Sequence, residues 1–396
     1  MSLILRSCVI APCVFVWLLA CQPPDLRAAE WSLSPSLEVG GEYNSSVLLG
    51  SGREIEDFVT RGKPRVEILA ATERNRLLLD AGLTGEKYIK NGGLDTVDSE
   101  NRASWTRYWT PAFSTQLGGT FSKDTTLETE LEAAGLRADR RDRYRFGGDL
   151  GGTLLLSDTA NVALSGAFSA NRYPEGDYPD YRQWQVGLDP ALKINPRDTV
   201  GVAVYHSDSD YEDTGRVRAV SGTVYWRRNW TETDSLTVGA GYYYSWLDLR
   251  ALTIPGLPRP PDQEETEGGF LVDIALNRAW TERLSTTVSA GRQQYDSVDA
   301  GTVERTYVRT SASYLLTPLL ALLLNLGWDY HTQVGDSGQD SYYLRALPSL
   351  RWQIGKDTFL TWGAGYERVE RQGGGEGDTE RYRGWVTLLR RWPNLL

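Results

Sequence analysis

Gln183-Trp184-Gln185-Val186-Gly187-Leu188-Asp189-Pro190-Ala191-Leu192-Lys193-Ile194 changes chemistry at every step. Trp184, Val186, Leu188, Pro190, Leu192 and Ile194 are apolar, whereas Gln183, Gln185, Gly187, Asp189, Ala191 and Lys193 are polar or small. A β-strand sends successive side chains to opposite faces, so the segment predicts a strand with one greasy face and one wet face. The same alternation returns at Val162, Leu164, Gly166, Phe168 and Ala170, at Val200, Val202 and Val204, and at Phe270, Val272, Ile274 and Leu276. Leu320, Leu322, Leu324, Leu326, Trp328 and Tyr330 repeat it again. Many two-faced strands in succession, with little helical period between them, predict a closed antiparallel barrel.

The alternation divides the chain into about 18 strands, over 31–43, 58–71, 76–90, 102–110, 112–127, 142–156, 161–172, 181–194, 198–208, 216–228, 235–249, 267–279, 283–296, 303–316, 319–333, 341–354, 357–371 and 379–392. The segment 102–110 carries the weakest pattern, which leaves 16 as the alternative count. Short connections such as 72–75, 157–160, 195–197 and 355–356 hold Asn, Asp, Pro or Gly, the residues that turn a chain tightly, and 280–282 is as short. They alternate with long ones, including 44–57, 91–101, 128–141, 173–180, 250–266 and 372–378. Bacterial transmembrane barrels have this asymmetry, with short periplasmic turns and longer external loops. It predicts an all-β, up-and-down transmembrane barrel with both chain ends on the periplasmic side. Trp230-Thr231-Glu232 leads into Val238-Gly239-Ala240-Gly241, and Trp280-Thr281-Glu282 leads at the same spacing into Val288-Ser289-Ala290-Gly291. Such a two-strand repeat fits hairpins better than the four-stranded blades of a propeller.

Arg6 and the apolar run Cys8 to Ala20 predict a cleaved signal peptide over 1–29, followed by one barrel domain over 30–396. Leu18-Leu19-Ala20-Cys21 offers the alternative of lipidation at Cys21. Cys8, Cys13 and Cys21 are the only cysteines, so a chain cleaved after residue 29 has no disulfide, thiol nucleophile or cysteine metal site. The chain carries 42 basic and 52 acidic residues, a net charge of −10, and this lack of a basic footprint argues against a nucleic-acid partner. There are 14 Trp and 21 Tyr against 8 Phe, a bias toward rings with a polar edge that settle where membrane meets water. A mean hydropathy of −0.40 is compatible with a membrane barrel, because only alternate residues meet lipid. The last predicted strand ends on Trp392 and resembles the signal read by the outer-membrane assembly machinery, although Pro393-Asn394-Leu395-Leu396 extends past it. The expected location is the bacterial outer membrane, with its lipid and its assembly machinery as partners.

Chemistry-bearing residues are sparse. His206 and His331 are the only histidines, too few and too far apart for a lipase-like centre or a zinc site, so no enzyme activity and no cofactor are expected. Alternation places Asp80, Glu86, Asp149, Asp189, Asp273, Asp329 and Glu367, with Lys193, Arg227, Arg345 and Arg351, on the wet faces. In a barrel those faces line the lumen, where water or opposite charge solvates them. Position 187, on the same wet face, is expected to tolerate serine in place of Gly187. Tyr173 to Tyr181 and Asp208 to Asp213 are acidic and aromatic; solvated loops, carbohydrate contact and calcium binding are all compatible with them. The third long connection is different. Its helix-forming run from Leu127 to Leu136 includes Glu130 and Glu132, and Arg137, Arg140, Arg141, Arg143 and Arg145 follow. It reads either as a constriction folded into the lumen or as a plain charged external loop.

The stretch Thr120-Phe121-Ser122-Lys123-Asp124-Thr125-Thr126-Leu127-Glu128-Thr129-Glu130-Leu131-Glu132, with the opening strand Trp31 to Tyr43, resembles the β-barrel porin 2 family. The resemblance extends over nearly the whole chain after the leader, as pattern more than as sharp motifs. It implies an exopolysaccharide-associated outer-membrane barrel, with a polysaccharide and periplasmic export components as partners, and it implies no catalytic residues. From the residues themselves, a general or substrate-selective diffusion porin and a plugged structural barrel stay open beside an export channel.

Overall fold

The computed structural model describes residues 29–49, 55–125, 141–174, 179–212, 215–249, 263–297, 301–333, 340–372 and 378–393. The predicted leader and most of the third long connection lie outside them. The strands are β1 (Glu30–Asn44), β2 (Asp57–Ala71), β3 (Asn75–Tyr88), β4 (Thr96–Thr110), β5 (Phe113–Thr125), β6 (Asp142–Leu155), β7 (Ala160–Arg172), β8 (Tyr181–Lys193) and β9 (Asp198–Tyr211). They continue as β10 (Gly215–Asn229), β11 (Ser235–Leu249), β12 (Gln263–Ala279), β13 (Leu284–Ser297), β14 (Gly301–Thr317), β15 (Leu320–Gln333), β16 (Asp340–Gly355), β17 (Thr358–Gln372) and β18 (Thr379–Arg391). Each pairs antiparallel with its neighbours in sequence, and β1 pairs with β18, which closes an 18-stranded barrel. The higher of the two predicted counts is correct. A closed sheet has no free edge strand, which is how such a sheet persists in lipid.

Alternation then sorts side chains by face. Leu164, Leu188 and Val204 stand side by side in register across β7, β8 and β9, each largely exposed on the outer surface. Val224, Val272, Leu322 and Val386 continue this apolar belt. Aromatic rings border it on both sides. Near the rim where β1 starts and β18 ends, Trp109, Trp280, Trp352 and Trp392 are exposed, and Arg107 and Arg278 lie 4.2 and 4.4 Å from the Trp109 and Trp280 rings. Near the far rim, Tyr330 stacks on Tyr342 at 4.7 Å and Tyr366 meets Tyr382 at 5.3 Å. Two aromatic girdles around an apolar band mark the two boundaries of a bilayer.

The connections differ from expectation in two ways. The predicted loop 91–101 is largely strand, since Thr96 to Asn101 pair with Glu86 to Ala81. Asp98 and Glu100 made that stretch look like loop, but both share the barrel's wet face with Arg102, which is opposite Asp80. At the far rim the connections 212–214 and 298–300 are as short as turns, because β9, β10, β13 and β14 run on as long hairpins. Proline inside a strand normally argues against it. Here the ladder lapses at Pro64, Pro190 and Pro348, each with its neighbour, on one side only and resumes without a shift in register. A missing N–H removes a ladder bond but leaves the alternation intact.

Candidate functional site

The interior face is identified by side chains that reach across a strand. The Tyr225 hydroxyl on β10 donates to Asp189 on β8 at 2.8 Å, passing over Gly201 of β9. A Cβ at residue 201 would lie 2.3 Å from Cζ of Tyr225, so glycine is what lets the ring cross. Gly201→Val is expected to cost about 1–3 kcal/mol by overpacking. Combining it with Tyr225→Ala should cost less than the two separate losses added together, and urea unfolding of all three variants checks this.

All the predicted lumen positions share this face. Asp80 is paired with Arg65, and Glu86 accepts from Arg61 Nε at 2.6 Å and from the Tyr88 hydroxyl at 3.2 Å. Asp149 lies against Gly118, and Arg345 lies against Gly327. Asp273 stands in register with Gly291, which is opposite Tyr307. Lys193, Arg227 and Arg351 lie toward the rim where β1 starts and β18 ends. Gly187 is also on this face, but serine is not expected to be tolerated there. The Tyr205 ring covers it, and a Cβ would lie 2.4 Å from Cε1.

Asp329 and Glu367 are almost completely buried, at 0% and 1% exposure. Arg305 Nε donates to Asp329 at 2.8 Å, and Arg309 lies 3.6 Å away. Glu367 accepts from the Tyr343 hydroxyl and from Arg381 Nε, both at 2.6 Å, and Arg383 Nε lies 3.0 Å from it. The chain of contacts runs on from Arg383 to Glu42 at 3.8 Å, from Glu42 to Arg61 at 3.6 Å, and from Arg61 to Glu86. It therefore links β16 to β3 through the β18–β1 closure, in the half of the barrel nearer the far rim. Charges buried this deeply persist because each is matched by opposite charge and hydrogen bonds.

The first far-rim connection lies over this network. Val47 and Leu49 are each only 3% exposed. Val47 packs with Val59 and Tyr88, and Leu49 packs with Tyr343 and Val369, all interior side chains. The predicted constriction candidates Glu130, Glu132, Arg137 and Arg140 lie outside the described residues. Arg141 immediately precedes β6. Arg143 and Arg145 fall in β6, within the strand expected over 142–156, and both pair with Asp124 on β5. The apolar triplet Val47-Leu48-Leu49, inside a connection otherwise poor in large apolar residues, was the available sign that this loop turns inward.

His331 is buried on the interior face, in register with Ser341 and Arg305. His206 is on the outer face, with its ring 5.0 Å from that of Trp184. The two histidines thus lie on opposite surfaces of the wall. Among the described residues there is no group of three or more His, Cys, Asp and Glu side chains placed to hold a metal ion.

The barrel aligns with the outer membrane protein OpdK from Pseudomonas aeruginosa with a TM-score of 0.50 at 9% identity, covering 92% of this chain and 99% of that one. The chain has the fold of a bacterial outer-membrane β-barrel. OpdO from the same organism aligns at 0.49 with 12% identity, over 92% and 97% of the two chains. A single-site mutant of the ferric enterobactin receptor PfeA, also from Pseudomonas aeruginosa, aligns at 0.47 with 8% identity, over 91% of this chain and 80% of that one. No family model matches the chain, and no curated protein matches it.

Proposed function

We propose that this chain is an outer-membrane channel for hydrophilic solutes, with its far rim outside the cell and an exopolysaccharide as its cargo. The observation that carries the channel reading is the sorting of the closed wall: apolar and girdled by aromatics outside, polar and ion-paired inside. A wall of this kind costs little in lipid and gives dissolved solutes a wet bore. Two things support the finer reading of the cargo. One is the resemblance to exopolysaccharide-associated barrels. The other is the interior wall of β7 to β10, where Ser165, Gln183, Gln185, Ser207, Ser221 and Thr223 supply hydroxyls and amides beside the rings of Tyr205 and Tyr225. Hydroxyls and amides both donate and accept, which suits a polyhydroxylated chain. No residue is assigned a catalytic role.

Purified barrel added to planar lipid bilayers should give discrete conductance steps, and its absence from the producing cell should remove the surface polysaccharide. Steps without any loss of polysaccharide would leave a diffusion porin. Orientation has its own test in a full chain whose cysteines, Cys8, Cys13 and Cys21, are replaced by serine or alanine. Lys90→Cys, in the far-rim connection 89–95, should react with an impermeant thiol reagent on intact cells, whereas Asp158→Cys, in the turn 156–159, should not. Equal labelling would overturn the orientation.

A further inference from the structure

We infer that the start of the first far-rim loop, Ser45 to Leu49, is a displaceable constriction: Val47 and Leu49 seat it on the interior wall across the β18–β1 closure, and an extended polymer passes only when they leave that seat. The inference rests on the channel reading and adds which element limits passage.

The seat is apolar and has two points. Val47 rests on Val59 and Tyr88, of β2 and β3, and Leu49 rests on Tyr343 and Val369, of β16 and β17. Between these points lie β18 and β1, so the loop spans the seam from inside. Its entry and exit are held by hydrogen bonds. The Ser45 amide donates to the Tyr382 carbonyl at 3.0 Å, and the Tyr382 amide donates to Ser45 Oγ at 2.8 Å. On the returning limb, Asp57 accepts from the amides of Ile89, Lys90 and Asn91 at 3.1, 3.0 and 2.8 Å. Lys90 also pairs with Glu56 at 2.5 Å, and that contact holds the Glu56 carboxyl below the usual carboxylate range. Fixed ends with an apolar centre suit a moving element. Apolar contact is non-directional and can be given up while the hydrogen-bonded ends remain.

Burial along the interior wall agrees with a covered seam at this loop. Glu42, Tyr343, Glu367 and Arg381, near this loop, are buried, whereas Gln116 and Arg351, near the opposite ends of β5 and β16, are exposed on the same face. The interior wall at this seam is covered, and Val47 and Leu49 are part of the cover.

Two variants test this in planar bilayers, with heat-modifiable migration as the check on folding. Val47→Ser with Leu49→Ser removes the seat. It should raise single-channel conductance about two-fold or more and admit larger neutral polymers, as expected when a lid opens. Leu49→Cys with Val369→Cys, in the leaderless chain without other cysteines, should conduct at the wild-type level when oxidised and open further when reduced. Should the serine variant fail to fold, the oxidised and reduced forms of the cysteine pair still decide the matter. A conducting wild type, with conductance unchanged in the serine variant and insensitive to reduction in the pair, would overturn the constriction and leave the channel standing. Folded barrels that never conduct, seated or unseated, would overturn the channel reading as well.

Discussion

Leu188→Arg should keep the protein out of the outer membrane. Leu188 is 46% exposed on the outer surface, between Leu164 and Val204 and within the apolar belt bounded by the two girdles. Arginine near the bilayer midplane on the lipid face of a barrel costs roughly 2–4 kcal/mol. An assembling barrel meets that cost as each strand enters lipid, so the expected phenotype is loss of the heat-modifiable form and of outer-membrane material. The matched control is Gln185→Ser, which changes an exposed interior position and should behave as wild type. Gly187 is not a suitable control, because Tyr205 occupies the space its Cβ would need. Normal assembly of Leu188→Arg would refute the assignment of the outer face.

Glu367→Ala should be the most damaging single change on the interior face. It removes the carboxylate shared by Arg381, Arg383 and Tyr343, at a site with 1% exposure. Breaking a buried ion pair from one side costs roughly 3–5 kcal/mol, because the remaining charge is left without compensation. Arg383 retains Glu42 at 3.8 Å, whereas Arg381 loses its 2.6 Å partner. The loss should appear as a lower urea midpoint in detergent or lipid. Glu367→Gln should fall between Ala and wild type, since the amide oxygen still accepts. Glu367→Leu combined with Arg381→Leu should cost less than Glu367→Ala, because the buried guanidinium that loses its carboxylate is removed with it. An unchanged midpoint for Glu367→Ala would mean that water reaches this network in solution.

Much of this architecture was legible from alternation alone. A period of two assigns every residue of a strand to one of two faces, so Asp80, Asp149, Asp189, Asp329 and Glu367 fell on the wet face before any partner was known. Turn chemistry such as Asn195-Pro196-Arg197 located one rim. The stretch Thr96 to Asn101 was misread because charge in a sequence looks the same whether it is solvated by bulk water or by Arg102 and its neighbours inside a barrel. Arg143 and Arg145 fell inside the strand read over 142–156, but their shared partner Asp124 on β5 was not legible in the sequence. The leader and the residues between Thr125 and Arg141 lie outside the described structure, and the expectations placed on them stand as made.

The sequence by itself determined the strands, their two faces and the chemistry of each face, because these depend on nearest neighbours along the chain and on one backbone period. Tertiary structure decided which charges are paired and which loop turns inward. Glu367 meets Arg381 only because β17 and β18 are adjacent in register, and Leu49 reaches Tyr343 only because the barrel closes β18 onto β1. Contacts between residues as distant as 49 and 343 depend on closure, and no local pattern encodes them.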